Sequence, residues 1–280
     1  MIGDGAFRMG KTHTVCQDYV AAFASSTSAW ALLADGCSSS PETDIGARLL
    51  VKSARAQIDY LRSALQNAAP EAWERYYAAT LENARAVAQQ LGLDARCLDA
   101  TLLTAITAGD RWFLDMVGDG VVVVKGRDGA LCVTSVSYME NCPDYLNYRE
   151  DSARAAAFAE RVGNVRAVRR WRMTPEGAVE AQEPVIETPA VWSGRMADTV
   201  WVALLSDGAH SFATLDCSST SRTATPIPLP EVLKELLAFK SGVGQFVQRR
   251  LQRFLLRCAE RGWQHHDDVA LGVIAWEETE

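Results

Sequence analysis

Six aspartates in this chain stand where apolar runs begin or end. Asp18 follows Gln17 in QDYV, Asp35 ends ALLAD and precedes Gly36, Asp119 lies in MVGDG, Asp207 in ALLSDG, and Asp267 and Asp268 precede VALGVIAW. Singly, an Asp-Gly pair is ordinary turn chemistry, because Asp bonds its own downstream backbone and Gly accepts φ > 0. Together these residues point to a different use. Strands of a sheet carry their ends to a common edge, and carboxylates gathered there repel one another unless cations neutralise them. Hard divalent ions such as Mg²⁺ or Mn²⁺ take oxygen ligands of this kind and complete their shell with water. The echo between WALLADG (30–36) and VALLSDG (202–208) suggests an internal repeat, but the flanks disagree. Two long helical patterns follow the first, and SFATLDCSSTSRTATPIP follows the second.

The elements that must hold these carboxylates follow from periodicity. Val20 to Phe23 and Ala29 to Leu33 read as strands around the turn SSTS. DIGARLLVKSARAQIDYLRSAL reads as a helix capped by Asp44. Pro70 fits the first turn of a second helix that stops at Gly92. ATLLTAITAG, RWFLDMVGDG, VVVVKGRDG and ALCVTSVS read as a meander. DSARAAAFAERVG reads as a helix, and VRAVRRWRMTPEGAVEA as a hairpin around Pro175-Glu176-Gly177. The strand TVWVALLSD, two helices (LPEVLKELLAFK and VGQFVQRRLQRFLLRCAERG) and the strand DVALGVIAW complete the chain. Strands and helices come in blocks rather than in βαβ alternation, so the expected class is α+β with antiparallel sheets and helices outside. No linker divides the chain. Residues 1–280 are expected to form one domain, with about 139–200 as an excursion.

Composition narrows the function classes. The 280 residues are 48% hydrophobic and 22% charged, with formal net charge -7. That balance argues against non-specific nucleic-acid binding, which needs phosphate neutralisation by Lys and Arg, and it permits cation binding. The seven cysteines are odd in number and contain no CxxC pair, against a disulfide framework or a Cys-rich zinc site. Cys16 and Cys37 read as small packing groups, His265-His266 as a polar loop, and Trp30, Trp112, Trp201 and Trp263 as core. Without a signal-like leader or a run of about 20 apolar residues, a cytoplasmic, membrane-free protein is expected.

In order, QDYV, ALLADGCSSSPETDIGARLL, DATLLTAI, MVGDG, VALLSDG and HDDVALGVIAW, between residues 13 and 276, resemble the protein phosphatase 2C-like (PPM) metal-dependent phosphatases. The likeness is to the bacterial branch with Gln-Asp in place of Glu-Asp. It implies an αββα sandwich, two antiparallel sheets face to face with helices outside each. It implies two Mg²⁺ or Mn²⁺ ions and a bridging water that attacks the phosphorus of a phosphoserine or phosphothreonine, with no phosphoenzyme. Carried across, Asp35 bridges both ions, the Gly36 carbonyl binds one, and Asp207 and Asp267 bind the other. Asp18 orders water at the ions, and Asp119 matches the ligand of a third, weaker ion. The implied partner is a phosphoprotein, a target of a Ser/Thr kinase, and residues 139–200 are the flap beside the site.

The chain departs from the pattern at four places. Gln17 stands where many members have a metal-reaching glutamate. It offers an uncharged amide oxygen, so that metal is expected to bind more weakly. His13 lies where an arginine often grips the phosphate, leaving Arg8 or Lys11 to supply a fixed charge. Cys37 replaces a histidine proposed as general acid in some members, and Asp268 falls where Asn is frequent. Gln17, His13 and Cys37 carry the alternative reading, a pseudophosphatase that binds a phosphoprotein or another partner without turnover.

Overall fold

The structure, a computed structural model, describes residues 1–162, 166–186, 192–217 and 222–276. Gly163, at the end of one predicted helix, and residues 187–191, within the predicted excursion, lie outside the described residues. The first strands are β1 (Ile2–Arg8), β2 (Asp18–Ala24) and β3 (Ala29–Asp35). Helices α1 (Thr43–Ala56), α2 (Ile58–Gln66) and α3 (Ala72–Gln90) follow. Next come β4 (Leu102–Ala108), β5 (Arg111–Val117), β6 (Gly120–Gly126) and β7 (Leu131–Tyr138). The 139–200 region holds α4 (Ser152–Val162), β8 (Arg166–Met173), β9 (Val179–Ala181), β10 (Val185–Ile186) and β11 (Trp192–Arg195). Then come β12 (Thr199–Leu205), β13 (Phe212–Cys217), β14 (Arg222–Pro226), α5 (Leu229–Leu236), α6 (Phe246–Glu260), β15 (Trp263–His265) and β16 (Val269–Ala275).

Two antiparallel sheets form the centre. One has eight strands in the order β1-β16-β12-β6-β7-β8-β10, with β9 beside β8. The other runs β11-β5-β4-β3-β2. A small third sheet, β14-β13-β15, packs against α6 through Phe212 and Trp263. Alternation along each strand separates three cores. In β3, Leu33 and Ala31 face the other sheet, while Trp30, Leu32 and Ala34 face α1–α3. In β12, Val202 and Leu204 face inward, while Trp201, Ala203 and Leu205 face α5 and α6. The layers are therefore helix, sheet, sheet, helix, which is the predicted αββα sandwich. Both faces of the central strands are covered, so these strands read as unbroken apolar runs with no polar side. No helix among the described residues is long and apolar enough to cross a membrane.

Four local expectations change. The predicted meander splits: β4 and β5 pair in one sheet, β6 and β7 in the other. The Gly118–Gly120 turn is the crossing between sheets, and both glycines have positive φ there. The helix predicted from Asp44 is two helices, because the Gln57 amide bonds the Ala54 carbonyl and tightens the turn into a 3₁₀ contact. Asp44 does not cap it. Glu42 occupies the cap position without a side-chain bond, and Asp44 lies in the first turn, where its charge favours the positive end of the helix dipole. Pro70 precedes α3 by two residues, and Gly92 ends it in the left-handed region as expected. Strand β1, unmarked in the sequence because IGDGAFR is half polar or glycine, is held by seven register pairs with β16.

The sheet–sheet core sets stability. Leu204, fully buried there, should cost about 2–5 kcal/mol when replaced by Ala. Leu256→Ala, on the exposed side of α6, should change stability by no more than about 0.5 kcal/mol. Urea unfolding of the two variants checks this, and equal losses would contradict the layer assignment.

Candidate metal centre

Register brings the predicted aspartates to one end of the sandwich. Asp18, opening β2, pairs directly with Asp35, closing β3. In the other sheet, Leu205 at the end of β12 pairs with Val121 near the start of β6 and with Leu271 near the start of β16. Those pairings set Asp207, Asp119 and Asp267-Asp268 side by side. A cavity of about 300 Å³ opens here, lined among others by His13, Asp35, Gly36, Asp119, Asp207 and Asp267.

The glycines of the two echo motifs have a reason other than turn conformation. Neither Gly36 nor Gly208 has positive φ. A Cβ on Gly36 would stand 2.8 Å from Cβ of Thr43, at the start of α1. A Cβ on Gly208 would overlap the Asp268 carbonyl oxygen at 1.7 Å. Each glycine permits a close backbone approach, and the second holds Asp207 against the Asp267-Asp268 pair.

Backbone bonds leave the carboxylates free to face the cavity. The Asp35 amide donates to Thr101 Oγ1 at 3.0 Å and its carbonyl accepts from the Thr101 amide at 2.8 Å. Ser206 ties the two sheets together. Its hydroxyl donates to Asp18 Oδ2 at 2.7 Å and accepts from the Ala270 amide at 2.9 Å. Asp18 is buried, and its other oxygen, Oδ1, has no protein partner. Asp268 holds the β1–β2 loop by accepting from the Gly10 amide at 2.7 Å and the Gln17 amide at 2.6 Å. His13 sits over this pair, Nδ1 3.0 Å from Asp268 Oδ2 without hydrogen-bond alignment, and Nε2 3.4 Å from Asp267 Oδ1.

The electrostatics are those of a site built for a counter-charge. Burial pushes Asp18 and Asp35 well above the usual carboxylate range, and neighbouring aspartates push them further. Asp119 is raised well above that range by burial and then by Asp207. Asp207 is also raised, by burial and by Asp267, although a hydrogen bond with Asp35 offsets part of this. Two unit charges about 4 Å apart repel by about 4 kcal/mol at an effective dielectric of 20. Gathered carboxylates of this kind favour taking up protons or a counter-charge. Among the described residues no three His, Cys, Asp or Glu side chains already stand in coordinating positions. The donor set nevertheless fits hard divalent cations: it is all oxygen, several times negative, and includes a buried carboxylate oxygen that lacks a partner.

The remaining predicted residues divide. Gln17 does not line the cavity. Its Nε2 donates to Thr43 Oγ1 at 2.5 Å and so ties the loop to α1. Arg8 closes β1 and bonds the Phe7 carbonyl through its guanidinium, and Lys11 is exposed; neither lines the cavity. Cys37 does line it. Burial raises its thiol, but hydrogen bonds with Ser39, Tyr145 and Ser40 outweigh that and leave it below the ordinary value.

Sequence reasoning missed several residues. Ser206 precedes an aspartate like any strand-end serine, and nothing local marks it. Tyr145 forms a buried wall of the cavity. Asp99, buried at the far side, accepts from Ser40 at 2.7 Å, from Asn147 at 2.8 Å and from both Arg154 terminal nitrogens at 2.6 and 3.0 Å. This network fastens the start of the 139–200 region to the loop after Asp35.

A family model for protein phosphatase 2C matches residues 8–256. A comparison with curated proteins returns no significant match. Among solved structures, the Mycobacterium tuberculosis serine/threonine phosphatase PstP/Ppp aligns over 99% of this chain and 100% of its own, with TM-score 0.51 and 18% identity. The S. agalactiae serine/threonine phosphatase aligns over 98% of this chain and 99% of its own, with TM-score 0.54 and 12% identity. At these identities the likeness is one of fold.

Two outcomes follow from the carboxylate cluster. A carboxyl whose folded pKa is raised stabilises the fold below its unfolded pKa, near 4, and loses that contribution as pH rises through the folded value. In chelator, melting temperature should therefore fall as pH rises above the unfolded carboxyl value of about 4, and Mn²⁺ should restore it. A flat profile in chelator, unchanged by Mn²⁺, would remove the basis for a cation site. Asp268→Ala should cost about 1.5–3 kcal/mol through lost charged hydrogen bonds and speed amide exchange at Gly10 and Gln17. Unaltered exchange at both amides would contradict that role.

Proposed function

Because the chain belongs to the protein phosphatase 2C family, we propose that it is a Mg²⁺- or Mn²⁺-dependent hydrolase of phosphoserine and phosphothreonine in proteins. The observation that carries the reading is the convergence of Asp35, Asp119, Asp207 and Asp267 on one cavity, with Asp18 buried beside them as the register partner of Asp35. Asp35, the Gly36 carbonyl, Asp207 and Asp267 are the residues proposed to hold two cations, with Asp119 for a third. When bound, the cations supply charge neutralisation and a water acidic enough to attack phosphorus at neutral pH.

The chain's own residues do the rest. Asp18, fixed by Ser206 on one oxygen, presents the other to order the attacking water and take its proton. His13, at the cavity wall, donates to the phosphate oxygens and is held there by Asp267 and Asp268. Tyr145 and Cys37 close the wall away from bulk water. Gln17 acts through Thr43 in this account, orienting the loop that carries His13 and Asp18.

Hydrolysis of an aryl phosphate and of a phosphothreonine peptide, with and without Mn²⁺, tests the proposal. Wild type should turn over both only with the cation. Asp35→Asn should lose at least about 100-fold, since disturbing residues behind a metal ligand already costs about 10–100-fold. Equal turnover by the two proteins would defeat the assignment. Calorimetric Mn²⁺ binding without any turnover would favour the pseudophosphatase reading instead.

A further inference from the structure

A second cavity of about 300 Å³ adjoins the first. The two share Asp119, Asn141 and Asp207 as walls, so a chain bound at one continues into the other. Their chemistry differs. Away from the shared aspartates, the second is walled by Ser135 and Ser137 of β7, Arg169 and Trp171 of β8, and His210.

Arg169 is the charge that matters here. It is exposed, and among the described residues its guanidinium makes no ion pair or hydrogen bond. Other arginines of this region are matched: Arg172 with Asp128, Arg154 with Asp99, Arg161 with Glu140. In a chain of net charge -7, an unmatched cation at a cavity wall is conspicuous. The wall around it is hydrogen-bonding and fixed. Ser135 is buried, pairs with Arg169 across the β7–β8 ladder, and its hydroxyl lies 2.9 Å from His210 Nε2. Loss of solvation, and then the nearby charge of Arg169, lower the His210 pKa, so its ring is neutral near pH 7 and Arg169 alone carries the positive charge.

The ladder gives the distance. Val121, Ser135 and Arg169 are successive register partners across β6, β7 and β8, and Val121 follows Asp119 by two residues. Two strand spacings of about 4.8 Å across and two residues of about 3.4 Å along place the Arg169 backbone roughly 12 Å from that of Asp119. An extended peptide covers that span in about four residues. The arginine's own reach reduces the count to two or three.

We infer that the second cavity is a subsite for an anionic group, carboxylate or phosphate, carried two or three residues from the phosphorylated Ser or Thr, with Arg169 as its partner. The subsite makes this a phosphatase for acidic or multiply phosphorylated segments, and it rests on the phosphatase reading above. Arg169 acts on substrate choice and not on the reacting phosphate.

The full-length chain with Mn²⁺ tests it on phosphothreonine peptides alike except at one position, scanned three residues to either side. That position carries Ala, Glu or a non-hydrolysable phosphonate analogue of phosphoserine, and an aryl phosphate is assayed alongside. Wild type should prefer an anionic residue over Ala by about three- to tenfold in kcat/KM at a position two or three residues away. The ratio should collapse to about one in Arg169→Met and survive largely in Arg169→Lys. Preference for the phosphonate over Glu, or the reverse, identifies the anion. A ratio near one at every position in wild type, or a preference that persists in Arg169→Met, overturns the subsite while aryl phosphate turnover leaves the phosphatase reading standing. No turnover of the aryl phosphate overturns that reading, and the subsite with it.

Discussion

Mutual repulsion among carboxylates is the constraint around which this protein is arranged. Asp18, Asp35, Asp119 and Asp207 are each pushed upward in pKa by burial and by a neighbouring aspartate. A flexible chain would let them separate. They stay together because each is attached to a strand end whose position is set by a buried ladder. Burial penalises the charged form and the lattice of strands forbids retreat, so a counter-charge or protons must be taken up. Ser206 shows how closely the two sheets are matched at this point: one hydroxyl bonds a carboxylate of one sheet and an amide of the other.

The rest of the architecture follows from the need to bring two sheets that close. Small residues line their interface. Ala31, Ala105 and Ala270 face inward, and a Cβ on Gly272 would meet Val20 Cγ2 at 2.9 Å. The outer faces of both sheets are then still apolar, and helices must cover them. Helices α1–α3 bury one face and α5–α6 the other. The loop after Asp35 leads into the first helix layer at Thr43, whose contact with Gly36 and Gln17 fixes the approach of chain to cavity. The 139–200 region is held to this loop through Asp99 and Arg154, so the wall that closes the cavity is anchored to the strand end that supplies its central carboxylate.

Much of this was legible beforehand, and for definite reasons. Long amphipathic stretches such as α3 and α6 declare themselves by periodicity, and Gly92 ends its helix where the chain turns left-handed. The central strands were visible as apolar runs, but not which face was which, because both faces are buried. The expected meander of β4–β7 illustrates the loss. Its four strands were recognised, yet the short turn at Gly118–Gly120 crosses from one sheet to the other, and nothing in the residues distinguishes that from a hairpin. Strand β1 was invisible because its stability comes from β16, far along the chain. Asp44 was a reasonable cap by type, but the chain enters α1 through Glu42 instead.

The sequence by itself determined the chemistry on offer: oxygen ligands at strand ends, an acidic balance, small residues after two of the aspartates, and a motif order that resembles one phosphatase family. Those are properties of residue type and local spacing, which the chain carries whatever its fold. Only the tertiary structure decided that Asp35 and Asp207 line one cavity, that Gly36 and Gly208 serve close approach and not a left-handed turn, and that Arg169 borders the same site. Each of these is a distance between residues remote in the chain. Such distances are set by strand register and by which sheet a strand joins, and both are fixed by packing on two faces at once, a quantity no local window contains.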